Sequence, residues 1–124
     1  MKKYTEDHEW IVIDQDNNGT VATVGITQHA ATQLGDLVYI ELPSIDDTVN
    51  KGDEAVVIES VKAAGEVLAP CTGKIIAINE ALQDDAEITG NDPEGEGWLF
   101  KIALDNPSEL ESTMTEEEYT AFNS

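Results

Sequence analysis

The feature that most constrains this chain is its punctuation. Short apolar segments recur along it, separated by turns rich in glycine, proline, asparagine or aspartate. They span residues 10–13, 20–26, 38–43, 54–58, 67–69, 74–78 and 98–104. β-Branched and aromatic residues are frequent in them, which predicts strands. Residues 10–13 and 20–26 form a hairpin, because Asp14-Gln15-Asp16-Asn17-Asn18-Gly19 between them tolerates positive φ. The segment 38–43 stops at Pro43. Helical signals sit at the edges. Thr27 caps a short helix over 27–34 that Gly35 ends. Another spans 84–89 and closes at Gly90. A helical C-terminal segment covers about 106–122. It opens with Asn106 as cap, Pro107 in the first turn and Glu109 reaching back, and a second capping box follows at Thr115 and Glu118. Tyr119 and Phe122 form its apolar stripe. Many short strands with peripheral helices predict a mainly β barrel or sandwich. At 124 residues the chain, 1–124, reads as a single domain able to bury its own core.

One connection stands apart. Glu59-Ser60-Val61-Lys62-Ala63-Ala64 joins the strands 54–58 and 67–69. A lysine at the tip of a tight hairpin has a rigid base and a free ammonium, which suits covalent attachment better than catalysis. Ser60, Ala63, Ala64 and Gly65 are small, so another enzyme's active site could engulf the tip. The plainer reading is a solvated surface lysine. A weak symmetry surrounds it: the glycine turns at Gly52 and Gly73 each precede a strand, at roughly matched distances from Lys62.

Composition narrows the partners. Twenty-six acidic residues face six basic ones, a formal charge of −20. Phosphates would be repelled, which excludes nucleic acid and anionic membrane as natural partners. Partners with basic docking faces or a salty cytoplasm fit better; the plainer reading is an acidic surface that keeps a monomer soluble. Cys71 is the single cysteine, so no internal disulfide forms, and a small buried hydrophobe is its expected role. No apolar run approaches the roughly 18 residues of a membrane span. The start has neither secretory nor transit-peptide character, so a cytoplasmic protein is expected. Asp14, Asp16, Asn18 and Gly19 match the opening of a calcium loop, but Gly25 stands where its glutamate belongs and strands flank it. His8 and His29 lack zinc-ligand spacing and read as partly buried hydrogen-bonders. Glu9 and Glu66 read as solvated carboxylates, not an acid–base pair. Trp10 and Trp98 read as core or rim aromatics. No metal site and no catalytic residues are expected.

The hairpin segment 59–64 resembles the lipoylation site of the glycine cleavage system H protein family. The resemblance extends to Tyr4, His8-Glu9-Trp10, residues 24–30 and 34–43, Ala69-Pro70, residues 79–82 and 95–99, so it covers roughly Tyr4 to Phe122. Biotin carriers have methionines beside the lysine; here the neighbours are Val61 and Ala63. The resemblance implies a hybrid barrel-sandwich of two antiparallel sheets, like lipoyl and biotinyl carriers. It makes Lys62 the attachment point of lipoate, with Glu59, Ser60, Val61 and Ala63 as the context a lipoate ligase or lipoyltransferase reads. It implies a non-catalytic carrier whose arm takes an aminomethyl group from glycine decarboxylase (the P protein). The arm passes it to a tetrahydrofolate-dependent aminomethyltransferase (the T protein) and is reoxidised by dihydrolipoyl dehydrogenase (the L protein). It also implies a cleft lined by Glu9, His29 and Glu66 that shelters the loaded arm. The family's usual pair before the strand is serine-aspartate; here it is Gly65-Glu66, a carboxylate one methylene longer on a looser backbone. Two other readings stay open: a relay of lipoate to 2-oxoacid dehydrogenases, and an unmodified acidic interaction module.

Overall fold

The computed structural model describes residues 2–16 and 19–122. Asn18 of the calcium-like loop lies outside them. Strands β1 (Lys2–Tyr4), β2 (Glu9–Asp16) and β3 (Gly19–Ile26) lead to helix α1 (Gln28–Leu34). Then come β4 (Leu37–Glu41), β5 (Thr48–Val49), β6 (Glu54–Ser60), β7 (Ala64–Leu68) and β8 (Gly73–Ile78). Two short helices, α2 (Ala81–Asp84) and α3 (Glu87–Asn91), precede β9 (Phe100–Leu104). A 3-10 helix (Pro107–Ser112) and α4 (Glu116–Phe122) follow. The strands form a six-stranded sheet, β1-β2-β3-β9-β8-β5, and a three-stranded sheet, β4-β6-β7. Every pairing is antiparallel, and the sheets do not close into one barrel. This is the mainly β sandwich with peripheral helices that the strand pattern predicts.

Alternation builds the core. Ile11 of β2, Val24 of β3, Val56 and Ile58 of β6, Val67 of β7 and Phe100 and Ile102 of β9 all turn inward into one cluster. Each such side chain stabilises by about 1.5–3 kcal/mol. Tyr4, Trp10 and Tyr119 form a second, smaller cluster where α4 covers β1 and β2. Cys71 is fully buried as a small hydrophobe, and burial pushes its thiol up to about 12.

Local signals held where side chains satisfy backbone. The Thr27 hydroxyl accepts from Ala30 N, and Gly35, at φ 78°, donates its N–H to Ala31 O. Thr115 and Glu118 form the reciprocal box, with Thr115 N donating to Glu118 Oε1 at 2.9 Å and Glu118 N to Thr115 Oγ1 at 3.2 Å. Four expectations change. The helix over 84–89 is two helices, because Asp85 is extended and its Oδ1 accepts from Glu87 N, starting a new turn; Gly90 lies inside α3. Asn106 does cap Ser108 N, but Glu109 does not reach back. Its carboxylate accepts from Thr72 N at 2.8 Å and Thr72 Oγ1 at 3.0 Å, tying the 3-10 helix to the turn before β8. Tyr119 is buried while Phe122 is 50% exposed, so the stripe on α4 is a single residue. β9 starts at Phe100 rather than 98, although Leu99 N still donates to Val24 O. No helix of the described residues is long and apolar enough to cross a membrane.

Gly25 is required by the residue opposite it. Trp10 pairs with it across the β2–β3 ladder, and a Cβ there would sit 2.6 Å from the indole. The ring cannot swing away cheaply, since it is 3% exposed and its Nε1 donates to Pro93 O at 2.8 Å. Gly25→Ala is expected to destabilise the fold by about 1–3 kcal/mol, the usual cost of overpacking. Urea unfolding followed by tryptophan fluorescence would measure it.

Candidate functional site

The hairpin β6–β7 is fixed from below. Glu59 pairs with Ala64, Ile58 with Gly65 and Val57 with Glu66. Ser60 and Ala63 close the hairpin beyond the strands' last pair, with Val61 and Lys62 at its tip. Two-residue hairpin loops usually need positive φ, supplied by glycine or asparagine. Neither Val61 nor Lys62 has it. Ser60 makes the turn instead. Its hydroxyl donates to Ala63 O at 3.0 Å and accepts from Lys62 N at 3.2 Å and Ala63 N at 3.1 Å. The backbone closes beneath it, Ser60 N to Ala63 O at 2.8 Å. Val61 N donates to Asp36 O at 3.0 Å, which pins the tip to the chain leaving α1.

Lys62 itself is exposed, and its ammonium has no hydrogen-bond or ion-pair partner among the described residues. Its stem runs over Gly35, where a Cβ would come within 3.1 Å of Lys62 Cε. Gly35 therefore ends α1 and leaves a berth for the lysine.

Between the hairpin, α1 and the turn before β2 lies a cavity of about 210 Å³, lined by Asp7, His8, Gln33, Leu34, Gly65 and Glu66 among others. A second, of about 290 Å³, lies beyond it and is lined by Thr5, Asp7, Glu9, Lys51, Leu68 and Thr113 among others. Asp7 borders both. A third cavity, of about 330 Å³ and lined by Asp7, Ala64, Gly65, Glu66 and Leu68, shares Glu66 with the first and Leu68 with the second. Of the groups that the resemblance assigns to one cleft, Glu66 lines the first and third cavities, Glu9 faces the second, and His29 lines none of the three. His29 meets the first cavity's wall at His8, whose ring lies 4.4 Å from its own.

Each group has a distinct electrostatic setting. Glu66 is exposed, and its carboxyl is drawn up by a hydrogen bond to Glu54 and by that neighbour's charge. Glu9 is 2% exposed, contrary to a solvated carboxylate. Its Oε1 accepts from Thr5 Oγ1 at 3.2 Å, while Oε2 has no hydrogen-bond partner among the described residues. Burial pushes it up to about 8 despite the opposing pull of Thr5 and the Leu68 backbone. His8 sits at φ 64°, held by His8 N to Thr5 O and Thr27 N to His8 O. Burial first and then His29 lower its pKa. Asp7 and His8 are cavity residues that sequence reasoning missed; their place in the motif around Glu9 was the available signal. Among the described residues, no group of three or more His, Cys, Asp or Glu could hold a metal ion.

A double-sheet β domain presenting an unpaired lysine on a serine-closed hairpin belongs to the barrel-sandwich class of carrier domains. Residues 2–124 match the profile of the glycine cleavage H-protein family. The chain belongs to that family. It is 55% identical to the glycine cleavage system H protein of a Psychrobacter species over 119 residues, covering 96% of this chain and 92% of the relative. It is 51% identical to the one from Thermotoga maritima over 122 residues, covering 98% and 95%. The crystal structure of a glycine cleavage system H protein from Mycobacterium marinum superposes with a TM-score of 0.87 at 34% identity, covering 98% of this chain and 95% of that one.

The Glu9 shift is a stability statement. A carboxyl whose folded pKa lies near 8, against an unfolded value near 4.3, stabilises the fold fully only below the unfolded value. That contribution is lost as pH rises through 4.3 towards 8. Wild-type stability is therefore expected to fall by a few kcal/mol between about pH 5 and pH 8, and Glu9→Gln to flatten that slope. Urea unfolding at the two pH values would show it, and carboxyl ¹³C titration would place the Glu9 midpoint.

Proposed function

We propose that this chain is the lipoyl carrier of glycine cleavage and that Lys62 bears the lipoyl group. The observation that carries the reading is the unpaired Lys62 ammonium on its serine-closed hairpin, inside the segment Glu59–Ala64 that resembles the family's lipoylation site. Glu59, Ser60, Val61 and Ala63 are the context for a lipoate ligase or lipoyltransferase. Attachment forms an amide between Lys62 Nζ and the lipoyl carboxyl, which removes a positive charge and takes the formal charge from −20 to about −21. When bound, the group supplies a disulfide that accepts an aminomethyl unit from glycine decarboxylase, yields it to the aminomethyltransferase and is restored by dihydrolipoyl dehydrogenase.

The chain supplies placement. Buried β6 and β7 side chains hold the base still, so the arm stays at high effective concentration near a docked enzyme. The cavity beside the hairpin offers apolar wall from Leu34 and carboxyls from Asp7 and Glu66. Glu9, with an unpartnered buried oxygen, is suited to an incoming ammonium: a cation beside it would stabilise the ionised carboxylate that burial disfavours. His29 supports the cavity through His8. The acidic surface suits enzymes with basic docking faces and a chain working as a single-domain monomer in the cytoplasm.

Intact mass after co-expression with ligase and lipoate should exceed the bare chain by one lipoyl amide, and Lys62→Ala should abolish the increment. A bare-chain mass for wild type under those conditions would overturn the assignment. Ser60→Ala removes three hydrogen bonds at the turn while keeping the lysine. It is expected to slow ligase modification about two- to tenfold, the rate equivalent of one net hydrogen bond's order-making. Timed mass spectrometry would read it.

A further inference from the structure

A chain of hydroxyls connects the C-terminal helix to the cavity wall. Tyr119 OH lies 2.8 Å from Thr27 Oγ1 and 2.7 Å from His8 Nδ1. Its ring is stacked on Tyr4, centroids 4.7 Å apart and planes at 8°. Tyr4 is in turn bridged to Met114, N to O in both directions at 2.8 and 2.7 Å. The hydroxyl is therefore placed from below by stacking and from behind by the backbone.

The proton direction along this chain can be deduced by counting donors. Thr27 Oγ1 already accepts from Ala30 N as the cap of α1. Suppose Tyr119 also donated to Thr27. The threonine proton, on a residue 1% exposed, would then have no acceptor among the described residues, and a buried donor left unpaired costs more than a hydrogen bond gains. The satisfied arrangement runs the other way. Ala30 N–H donates to Thr27, Thr27 O–H to Tyr119, and Tyr119 O–H to His8 Nδ1. His8 Nδ1 is then an acceptor, and the ring's proton is on Nε2. A protonated His8 would need both ring nitrogens to donate and would force the whole chain to reverse.

We propose that Tyr119 is a positioning residue for the carrier arm: its hydroxyl, oriented by Thr27, holds His8 as the neutral Nε2–H tautomer at the wall of the cavity beside Lys62. The proposal rests on the carrier reading above. Its chemical sense lies in the cargo. An aminomethyl adduct carries an ammonium, and an imidazolium at the wall would repel it, while a neutral imidazole offers one donor and no charge. The charged and titratable groups facing His8 are His29 from α1, Asp7 from its own turn, Tyr119 from α4 and, across the cavity, Glu66 from β7. His29 and the relay both oppose a charged His8, and Asp7 opposes them. None of this is visible locally in sequence, because Tyr119 lies 111 positions from His8.

The test uses ¹⁵N-labelled full-length protein, wild type and Tyr119→Phe, each first checked by intact mass for the lipoyl group. Phenylalanine keeps the stack on Tyr4 and removes only the hydroxyl. Long-range ¹H–¹⁵N spectra of wild type should show His8 as the Nε2–H tautomer. In the variant they should show a mixture of tautomers and a higher titration midpoint. After loading with glycine and glycine decarboxylase, the variant's arm should lose its aminomethyl group to water about two- to tenfold faster, one net hydrogen bond's worth. A wild-type His8 in the Nδ1–H form, which needs no variant to observe, would overturn the proposal. So would identical tautomer and midpoint in the two proteins, or an unchanged lifetime despite a changed tautomer. Absence of the lipoyl mass would instead defeat the carrier reading, and the tautomer would still be read on the unmodified chain.

Discussion

The register of β6 against β7 is the constraint on which the rest depends. Side chains alternate faces along a strand, so a slip of one residue would turn Val56, Ile58 and Val67 from core to solvent. They are 1%, 1% and 3% exposed, and together their burial stabilises by roughly 5 kcal/mol or more. A turn's own conformational preference is far smaller. Packing therefore fixes the register, and the connection has only to be compatible with it. That freedom explains a tip of valine and lysine with no glycine. The Ser60 hydroxyl supplies the bonds that a positive-φ turn would otherwise provide, and Lys62 is carried to one place relative to α1 and the cavities.

The opposite wall accepts local penalties. His8 adopts a left-handed backbone, and the next residue, Glu9, is buried with one oxygen unpaired among the described residues. Both would be purged from an ordinary turn. They persist because the surroundings over-determine them. β2 is paired on both edges, Trp10 is packed and hydrogen-bonded, and Tyr119 is stacked over Tyr4. Glu94 adds a clasp at the same end, accepting from Lys2 Nζ at 2.7 Å and from Gln28 N at 2.9 Å. This ion pair is about one-third exposed on each side, so its worth is positional rather than energetic. The energetic cost of the site is borne by aromatic packing, not by charge.

Much of the fold was legible in sequence because it is written in periods and caps. The alternation of residues 20–26 and 54–58, the Thr27 cap, the Gly35 stop and the box at Thr115 and Glu118 are local statements, and the structure follows them. The helix break at Asp85 turned on one side chain choosing a backbone N–H two residues on. β1 was missed because two of its three residues are lysines, and only pairing with β2 makes it a strand. Glu109 could not be read locally because its partner, Thr72, is 37 residues away. The hairpin lysine was visible as a presented amine. Its setting was not: the burial of Glu9, the contact of His29 with His8 and the hydrogen bonds of Tyr119 all depend on contacts between distant segments.

An unpaired ammonium in so acidic a protein needs a reason. Twenty-six carboxylates surround six lysines, and Lys2 and Lys74 have found Glu94 and Asp46. On the descending limb Ala63, Ala64 and Gly65 offer no carboxylate to Lys62. Glu66 is the first that could, and it is turned to Glu54 instead. The cause is a register shift between Glu54 and Val56, which pairs Glu54 with Leu68 and so brings it one position closer to Glu66. On the ascending limb Glu59 stands opposite Tyr39 and Ala64 within the sheet. Meanwhile the lysine stem rests on Gly35, where a Cβ would press on Lys62 Cε at 3.1 Å. A surface ion pair would be worth only about 0–1 kcal/mol, so its absence costs the fold little. For acylation the difference is direct, since a paired amine must first give up its partner. The register thus leaves the Lys62 amine open, while Glu66 at the cavity wall is turned to Glu54.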